Sequence, residues 1–311
     1  MEREHIIIIG SGPAGYTAAL YAARSGFEPL LFSGPMPGGL LTTTTTVENF
    51  PGFQEGINGT ALMMNMEKQA RHFGTKILYD TVSAVELTDG DVQTVITANG
   101  ERYTADVLIV ATGAAPRWLA LPTTEKFKGR GLSTCATCDG AFFRNVPVAV
   151  VGGGDSAMEE ASSLSKTASE VHVICRSEEL KASKIMADRA RALPNVHIHC
   201  SAEVLEFYGE KNLESLRYID RRENREEVLP CRGCFMALGH APNTALVRDW
   251  LELDENGYIR PGKQTVQTSL AGVFAAGDCI DPHFRQAITA AAMGCQAAME
   301  AEHYLNHGRI I

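Results

Sequence analysis

The sequence predicts an α/β protein built on two Rossmann-like folds, because two glycine-rich motifs occur in the setting that dinucleotide-binding folds require. An apolar run leads into Gly10-Ser11-Gly12-Pro13-Ala14-Gly15, and an alanine-rich stretch of helical character follows. A second apolar run leads into Gly152-Gly153-Gly154-Asp155-Ser156-Ala157, and a helical stretch again follows. Each motif therefore predicts a strand, a glycine turn and a helix, which together form the core of one dinucleotide-type fold.

The glycine turns predict nucleotide binding. Glycine permits a tight turn and the close approach of a pyrophosphate, which lies on the N-terminus of the following helix. A G-x-G-x-x-G motif is weak by itself, but its position between a strand and a helix strengthens the prediction. The strand after the first motif ends at Phe32-Ser33-Gly34 and offers no acid for a ribose hydroxyl.

Composition limits the partners and the compartment. The 311 residues carry a net charge of −9 and a pI of about 5.5, which argues against a nucleic acid or an anionic membrane as partner. The N-terminus runs directly into the first apolar run, so we expect no signal peptide, no membrane span and a cytoplasmic protein. Eight cysteines do not resemble a secreted disulfide scaffold, and the nine histidines show no metal-binding spacing, so no metal is expected.

Two cysteines lie between the glycine motifs, in Ser133-Thr134-Cys135-Ala136-Thr137-Cys138-Asp139. Cysteines three apart can share one face of a helical turn, for which Ser133 or Thr134 is a suitable N-cap. The N-terminus of a helix favours thiolate over thiol, so these cysteines are expected to be redox-active, and Asp139 could exchange protons with a departing thiolate. The other interpretations are an accidental pair and half of a zinc site, which would require a second cysteine pair at suitable spacing.

The remaining cysteines are expected to be structural. Cys231 and Cys234 form a second C-x-x-C in a strand-like run. Positions three apart in a strand face opposite sides of the sheet, which is a poor geometry for a disulfide. The other four are interpreted as small core residues: Cys175, Cys200, Cys279 and Cys295.

A threonine-rich loop follows the first fold's second strand. Thr42 to Thr46 are five consecutive threonines, which could form a low-complexity surface loop. Because β-branched residues favour extended backbone, we expect an ordered, extended segment instead.

Taken in order, these motifs resemble the low-molecular-weight thioredoxin reductases of bacteria and plants from end to end. The similarity includes both glycine motifs, the loop from Thr42 to Gly52 and the Cys-Ala-Thr-Cys-Asp centre. It extends to Ala111-Thr112-Gly113, Gly239-His240-Ala241-Pro242-Asn243-Thr244, Gly277-Asp278 and Arg285-Gln286-Ala287.

The resemblance implies two three-layer FAD/NAD(P)-binding domains of the glutathione-reductase type, with the second inserted into the first. Residues 1–115 and 246–311 would form a discontinuous FAD-binding domain, and residues 116–245 an NAD(P)H-binding-like domain that carries the redox-active disulfide. The resemblance also implies a homodimer, with hinges near 114–118 and 244–247 that let one domain rotate against the other.

The same resemblance assigns roles to residues. Cys138 would be the thiol nearest the flavin, Cys135 the interchange thiol that forms a mixed disulfide with thioredoxin or a thioredoxin-like protein, and Asp139 the acid–base. Asn49 would lie by the flavin and Asp278 would hold the ribityl chain. The full set of FAD-binding residues would be Gly10, Ser11, Gly12, Pro13, Ala14, Gly15, Leu40, Asn49, Thr112, Gly113, Gly277, Asp278, Arg285, Gln286 and Ala287.

The chain departs from the family pattern at two places. Leu40 stands where the family usually has glutamine. NADPH-dependent members bind the adenosine 2′-phosphate with His-Arg-Arg and an arginine after three further residues, and here Cys175, Arg176, Ser177 and Lys181 take those positions. The whole nucleotide-like site, vestigial on this interpretation, would comprise Gly152, Gly154, Asp155, Ser156, Ala157, Arg176, Ser177 and Lys181.

The second departure bears on the electron donor. Arginine makes planar bidentate contacts to phosphate that lysine cannot make, and Glu178 and Glu179 offset the two remaining cations. The sequence therefore predicts that NADPH is a poor reductant and that reduced ferredoxin, which serves family branches lacking the motif, is the better candidate. The alternatives are an ordinary NADPH-dependent thioredoxin reductase, a flavoprotein dithiol oxidase acting on a small dithiol, and a redox-silent FAD-binding regulatory protein.

Overall fold

The computed structural model describes residues 3–43, 46–262 and 265–308. The chain divides into two units, the first formed by the chain up to Ala115 and from Ala241 onward, the second by Pro116–His240. The sequence placed the boundaries at 115/116 and 245/246, so the structure puts the second boundary a few residues earlier. None of the described helices is long and apolar enough to cross a membrane.

The secondary structure alternates strands and helices through much of the chain. In chain order, the strands of the described residues are β1 (Glu4–Ile9), β2 (Leu30–Phe32), β3 (Thr46–Val47), β4 (Ile57–Asn58), β5 (Lys76–Leu78), β6 (Val82–Glu86), β7 (Gln93–Thr97), β8 (Arg102–Val110), β9 (Ala114–Pro116), β10 (Leu132–Ser133), β11 (Val148–Val151), β12 (Val171–Cys175), β13 (Val196–Cys200), β14 (Ala202–Tyr208), β15 (Ser215–Asp220), β16 (Arg225–Pro230), β17 (Gly233–Met236), β18 (His240–Pro242) and β19 (Val273–Ala275). The helices are α1 (Pro13–Arg24), α2 (Gly59–His72), α3 (Thr124–Phe127), α4 (Ala136–Asp139), α5 (Asp155–Leu164), α6 (Lys184–Arg191) and α7 (Ala287–His307). Short 3₁₀ turns lie at Gly39–Thr43, Gly140–Phe143 and Ala245–Val247.

The first unit is built on a sheet in the order β5-β2-β1-β8-β7-β6, with β19 paired to β8. β1 pairs in parallel with β2 and β8, which places the strand before the first glycine turn at the centre of the sheet. Ile6, Ile7, Ile8 and Ile9 are all buried because successive side chains alternate between the two faces and both faces are covered. Ile6 and Ile8 belong to the apolar cluster that includes α1 and α7, whereas Ile7 and Ile9 pack in the cluster with Phe32.

The second unit contains a parallel sheet in the order β10-β17-β11-β12-β13 and an antiparallel sheet, β14-β15-β16. On β11, Val148 and Val150 pack in one apolar cluster, and Ala149 and Val151 pack in another, so both faces of this sheet are also covered. β9 and β18 pair with each other, and the boundaries between the two units fall within these two strands.

Both glycine turns bring backbone atoms too close together for any side chain. A Cβ at Gly10 would lie 2.2 Å from the Ala111 carbonyl oxygen, and a Cβ at Gly15 would lie 1.9 Å from the Gly10 carbonyl oxygen. In the second unit, a Cβ at Gly152 would lie 2.4 Å from the Ala237 carbonyl oxygen. Gly10 and Gly152 also have positive φ angles of 111° and 151°, so both positions require glycine.

The threonine run is not extended over its first two residues. Thr42 and Thr43 lie in a 3₁₀ turn, the next two threonines fall outside the described residues, and Thr46 begins β3. The Thr42 and Thr43 hydroxyls donate hydrogen bonds of 2.8 and 2.7 Å to carbonyl oxygens three residues earlier. These local bonds stabilise the turn and outweigh the β-propensity of threonine. The expectation of an extended segment is therefore wrong for Thr42 and Thr43.

Cys231 and Cys234 are buried free thiols. They do not face opposite sides of a sheet, as the sequence predicted, because β17 begins at Gly233 and both cysteines belong to one apolar cluster. Burial raises the pKa of Cys231 to about 12 and raises the pKa of Cys234 well above its usual range. Both thiols are therefore poor nucleophiles at neutral pH.

Replacing Gly294 with alanine should destabilise the first unit by about 1–3 kcal/mol, because the added methyl group would crowd the adjacent helix. A Cβ at Gly294 would lie 2.1 Å from the Ala14 carbonyl oxygen, where α7 packs on α1. Thermal unfolding of the variant and the parent measures the difference. Met299→Ala, at an exposed position of the same helix, is the control and should leave stability nearly unchanged. Equal melting temperatures for Gly294→Ala and the parent would contradict this packing.

Three histidines stack across β12 and β13. His172 is the register partner of His197 and makes a 3.2 Å hydrogen bond with His199. Burial lowers the pKa of both His172 and His199, and the neighbouring carboxylates oppose that shift only in part. Those carboxylates are Glu170, Asp220 and Glu227.

The free energy of unfolding should therefore depend on these histidines at acidic pH. The unfolded chain takes up their protons near pH 6.5, roughly the unperturbed histidine value, before the folded protein does. Their contribution to stability should be fully present above that pH and should disappear as the pH falls through the lower folded values. Urea unfolding of the parent and of His172→Gln between pH 8 and 5 measures this effect, with the exposed His5→Gln as control. An unchanged pH slope in His172→Gln would refute the assignment.

Candidate functional site

A disulfide joins Cys135 to Cys138, with the Cα atoms 5.3 Å apart. The helix α4 begins after Cys135, which occupies the N-cap position itself in an extended conformation, so the predicted cap at Ser133 or Thr134 is wrong. The Ser133 hydroxyl instead accepts a 3.1 Å hydrogen bond from the Cys135 N–H and fixes the chain just before the helix. Within the described parts of the chain, no group of three or more His, Cys, Asp or Glu side chains could hold a metal ion.

Asp139 ends α4 and is held by the same serine. Ser133 Oγ donates a 2.6 Å hydrogen bond to Asp139 Oδ2. Burial raises the pKa of Asp139, and the hydrogen bond from Ser133 opposes that shift. A carboxyl group with a raised pKa holds its proton closer to neutral pH, which suits it to protonate a departing thiolate.

Glu160 also contacts the redox centre, and the sequence did not predict it. The Glu160 carboxylate, on α5, accepts a 3.1 Å hydrogen bond from the N–H of Ala136, the first residue of α4. A carboxylate at this end of the helix stabilises the turn that carries the disulfide. No local pattern signals this contact, because a strand and two loops separate the two residues in the chain.

The first glycine turn leaves open space at the N-terminus of α1. A Cβ at Gly12 would meet no atom within 4 Å, and α1 begins at Pro13. Ser11 serves the turn itself, since its Oγ donates to the Ser33 carbonyl at 2.7 Å and accepts from the Gly38 N–H at 2.9 Å. The open space beside backbone N–H groups fits a pyrophosphate.

Other members of the predicted FAD set pack around this turn. Ala14 and Gly15 are buried, and Gly277, with a positive φ of 79°, approaches so closely that a Cβ there would lie 2.9 Å from the Ala14 Cβ. A Cβ at Gly39 would lie 3.3 Å from Gly12 Cα, which brings the following 3₁₀ turn against the glycine motif. Leu40, in that turn, is exposed.

Asp281 organises the segment between β19 and α7, and the sequence did not predict this role. Its side chain is 4% exposed and accepts hydrogen bonds from the N–H groups of His283, Phe284 and Arg285 at 2.8, 3.0 and 3.3 Å. Arg285 consequently adopts a positive φ of 48°, and Gln286 then forms the capping box of α7. A single buried carboxylate thus sets the backbone path of the segment that carries the predicted FAD-binding residues Arg285, Gln286 and Ala287.

Two predicted flavin residues meet at the end of this segment. Asn49 Nδ2 donates a 3.2 Å hydrogen bond to Gln286 Oε1, and Ala287 begins α7 directly afterwards. Asp278 is partly buried. Its pKa is raised to about 6 by burial and by the neighbouring Asp281 carboxylate, with Arg285 opposing the shift.

Thr112 and Gly113 follow β8 in the same unit. Thr112 Oγ1 is buried, and among the described residues only the weakly polar thiol of Cys279 approaches it as a partner. Buried hydroxyl groups normally make full hydrogen bonds, so this one fits a polar group of a bound cofactor. The open turn, this hydroxyl and the partly buried Asp278 carboxyl fit the polar groups of FAD.

The second glycine turn keeps a similar geometry. A Cβ at Gly154 would meet no atom within 4 Å, and α5 begins at Asp155. Ser156 is partly exposed and Ala157 is buried in the core. The Asp155 carboxylate accepts hydrogen bonds from the N–H and hydroxyl of Ser183 at 2.7 and 3.0 Å, which places a negative charge at the end of the helix that would receive a phosphate.

The loop after β12 holds the other predicted nucleotide residues. Arg176 and Lys181 are exposed, as are the two glutamates between them. The Ser177 hydroxyl donates a 2.7 Å hydrogen bond to the Glu179 carbonyl, so it is engaged within its own loop. Arg176 and Lys181 therefore remain available to a ligand. At position 177, where NADPH-dependent members have arginine, the serine hydroxyl is already engaged and offers a ligand no free polar group.

Comparison with known proteins decides the family. Residues 4–294 match the family described as pyridine nucleotide-disulphide oxidoreductase. The chain belongs to this family. It is 49% identical to the thioredoxin reductase of Streptomyces clavuligerus, over 97% of this chain and 94% of that protein. It is 47% identical to the bifunctional thioredoxin reductase/thioredoxin of Mycobacterium leprae (strain TN), over 96% of this chain and 65% of that protein.

A solved structure, that of the thioredoxin reductase from Giardia duodenalis, is similar to this fold with a TM-score of 0.92 and 36% identity. The similarity covers 98% of this chain and 100% of that one. These findings confirm the predicted fold of two FAD/NAD(P)-binding domains and the predicted enzyme class, a flavoprotein disulfide oxidoreductase whose cofactor is FAD.

Replacing Asp281 with alanine should weaken FAD binding by about tenfold or more, because three backbone N–H groups lose a buried charged acceptor and the segment to Gln286 loses its fixed path. Release of FAD, followed by the rise in flavin fluorescence, measures the effect. Asp254→Ala is the control, since Asp254 similarly accepts from the N–H groups of Asn256 and Tyr258 in another turn of the same unit. Equal FAD affinity in both variants would contradict the role of Asp281.

Proposed function

We propose that this protein is an FAD-dependent thioredoxin-disulfide reductase. Electrons pass from reduced flavin through Cys135 and Cys138 to the disulfide of thioredoxin or a thioredoxin-like protein. The observation that carries the proposal is the Cys135–Cys138 disulfide beside the Ser133-bound carboxyl of Asp139. The relatives named thioredoxin reductase support it, and the relative that joins a reductase to a thioredoxin supports the choice of partner.

The thiol chemistry balances without any further reactant. In the reduced enzyme, the Cys135 thiolate attacks one sulfur of the partner's disulfide, and the other partner sulfur leaves as a thiolate. The Cys138 thiolate then attacks the Cys135 sulfur of this mixed disulfide, which re-forms the Cys135–Cys138 bond and releases the second partner thiolate. The reduced form of bound FAD, itself reduced by the electron donor, would supply the two electrons that reduce the enzyme disulfide for the next cycle.

Asp139 would supply and recover the proton. Its raised pKa lets it protonate a sulfur that leaves as thiolate, and its hydrogen bond to Ser133 keeps the carboxyl at the end of α4. The assignment of Cys135 as the interchange thiol and Cys138 as the flavin-side thiol follows the family resemblance.

We also infer a cytoplasmic homodimer whose two domains move during the cycle. The first predicted hinge, 114–118, includes β9. The second, 244–247, includes the 3₁₀ turn Ala245–Val247, whereas the division between the units falls within β18. We therefore place the second hinge at 240–242.

For the electron donor, we propose a nicotinamide nucleotide bound at the second glycine turn, with weakened contacts to a 2′-phosphate. The open turn at Gly154 supports nucleotide binding. The engaged Ser177 hydroxyl and the Asp155 carboxylate argue against strong phosphate binding. Each lost charge-assisted hydrogen bond costs about 1.5–3 kcal/mol, so NADPH use would be impaired.

Reduced ferredoxin is the second candidate donor. A protein donor needs no site for an adenosine phosphate, so it would be unaffected by the serine at position 177 and by the glutamates beside it. The degraded phosphate motif is the observation that favours it.

Cys135→Ser and Cys138→Ser should each reduce thioredoxin-disulfide turnover to background, because either change removes one half of the dithiol that carries the electrons. Turnover is measured as partner thiols formed per enzyme chain. Replacing both Cys231 and Cys234 with alanine should leave turnover largely intact, since both thiols are buried. Full turnover in either serine variant of the redox pair would refute the mechanism.

Ser177→Arg should improve NADPH affinity by about tenfold or more, because it restores a charge-assisted contact to the 2′-phosphate. Anaerobic titrations of the oxidised protein with NADPH, NADH and reduced ferredoxin, followed by flavin absorbance, measure this. NADH lacks the 2′-phosphate and is the matched control, so its affinity should not change. Rapid flavin bleaching of the parent by stoichiometric NADPH would contradict impaired NADPH use, and bleaching by ferredoxin alone would favour the second candidate.

A further inference from the structure

Two free thiols lie side by side at the carboxyl ends of β12 and β13. Cys175 and Cys200 are the last residues of these parallel strands and are register partners. Directly paired residues on neighbouring strands are about 4.8 Å apart, which is within the Cα–Cα range of about 4.4–6.8 Å that disulfides span. Because register partners present their side chains on the same face of a sheet, both thiols lie on one side of it. They are therefore close enough to be joined with only local movement.

Cys200 is not the core residue that the sequence predicted, because it is partly exposed and lines a cavity of about 540 Å³. Three cations and two carboxylates also line this cavity: Lys184, Arg191, Arg222, Glu178 and Glu179. Arg222, from the turn between β15 and β16, is fixed by hydrogen bonds to the Glu178 carbonyl at 2.8 Å and to Ser201 Oγ at 3.2 Å. Arg191 is paired with Asp188 at 3.3 Å, so Lys184 and Arg222 are the cations that favour an anionic group of a small molecule beside the thiol.

Cys175 is 2% exposed and packs against the second glycine turn. Its sulfur packs so closely that a Cβ at Gly153 would lie 2.2 Å from it. The Gly153 carbonyl in turn accepts hydrogen bonds from the N–H groups of Lys181 and Ala182 at 2.7 and 3.0 Å. Cys175 Sγ also lies 3.1 Å from Ser177 Oγ. Any movement of this sulfur would therefore shift the glycine turn and the loop after β12 together.

We propose that Cys175 and Cys200 form a second, regulatory dithiol, which an anionic low-molecular-weight disulfide oxidises and which thereby controls nucleotide binding at the second glycine turn. The cavity admits the reagent to Cys200, and the Cys200 thiolate attacks one of its sulfurs, releasing one small thiolate. The Cys175 thiolate then attacks the Cys200 sulfur of the mixed disulfide and releases the second small thiolate. The two protein thiols are oxidised, and one disulfide molecule is reduced to two thiols.

The surroundings of the Cys200 thiol determine the rate of this reaction. Burial raises the pKa of the Cys200 thiol, the adjacent Cys175 adds to the shift, and Arg222 and Arg191 oppose it. Little Cys200 thiolate is therefore present at neutral pH, so the reaction is slow. We expect oxidation only when the small disulfide is present for a long time, and not during a brief exposure.

The test uses the full-length, FAD-loaded protein with Cys135–Cys138 already oxidised and the other thiols free. It is incubated with glutathione disulfide, which is anionic, or with cystamine, which is cationic, and non-reduced peptides are mapped by mass spectrometry. We expect a Cys175–Cys200 linkage, formed faster with glutathione disulfide. Cys200→Ser should prevent the linkage, whereas Cys295→Ser, which removes the partly exposed free cysteine on α7, should not.

Nucleotide binding supplies the second readout. Isothermal titration of the treated and untreated protein with NADPH and NADH should show affinity lower by about tenfold after treatment, the effect of one lost phosphate contact. Cys200→Ser should be insensitive to the treatment, and dithiothreitol should restore the parent. The absence of a Cys175–Cys200 linkage, or a linkage that leaves nucleotide affinity unchanged, would overturn the proposal. Both outcomes are independent of whether untreated protein reduces thioredoxin, so they are distinguishable from failure of the proposed function.

Discussion

Both units of this molecule depend on one constraint, the contact of backbone on backbone in the glycine turn that follows a central parallel strand, β1 in one unit and β11 in the other. At Gly10 and Gly15 in one unit, and at Gly152 in the other, a single methyl group would overlap a carbonyl oxygen. The close contact places the N-terminus of α1 or α5 at the carboxyl ends of the strands. It also leaves space at that N-terminus for a phosphate. The cores follow from this arrangement, because strands covered by helices must be apolar on both faces.

A small number of hydrogen bonds fixes the redox centre. One serine, Ser133, accepts from the Cys135 N–H and donates to the Asp139 carboxyl, so it fixes both the start of α4 and the acid at its end. Glu160 reaches the same helix from α5. The disulfide thus lies on a short helix that hydrogen bonds fix at both ends.

The features that could be predicted from the sequence are those whose residues are neighbours in the chain. The glycine turns and the Cys135–Cys138 pair have patterns that only a few structures satisfy. The cap of α4, the turn at Thr42 and the environment of Cys231 were predicted wrongly, because each depends on a boundary one or two residues away from its expected place. Asp281, Glu160 and Arg222 were missed because their contacts join segments that lie far apart in the chain or involve backbone groups, which leave no side-chain pattern. Cys200 was misjudged for the same reason, since only the paired strands reveal that it lies beside Cys175 and opens onto a cavity.

If Cys135 and Cys138 accept the electrons of the flavin, the number of electrons that the protein takes up must include those of the disulfide. Anaerobic titration with dithionite should be carried out on protein whose Cys175 and Cys200 are shown to be free by thiol counting. The parent protein should take up about four electron equivalents per chain before the flavin is fully reduced, two for the flavin and two for the disulfide. The Cys135→Ser/Cys138→Ser double variant should take up about two. An equal uptake of about two equivalents by the parent and by the double variant would contradict electron acceptance by Cys135 and Cys138.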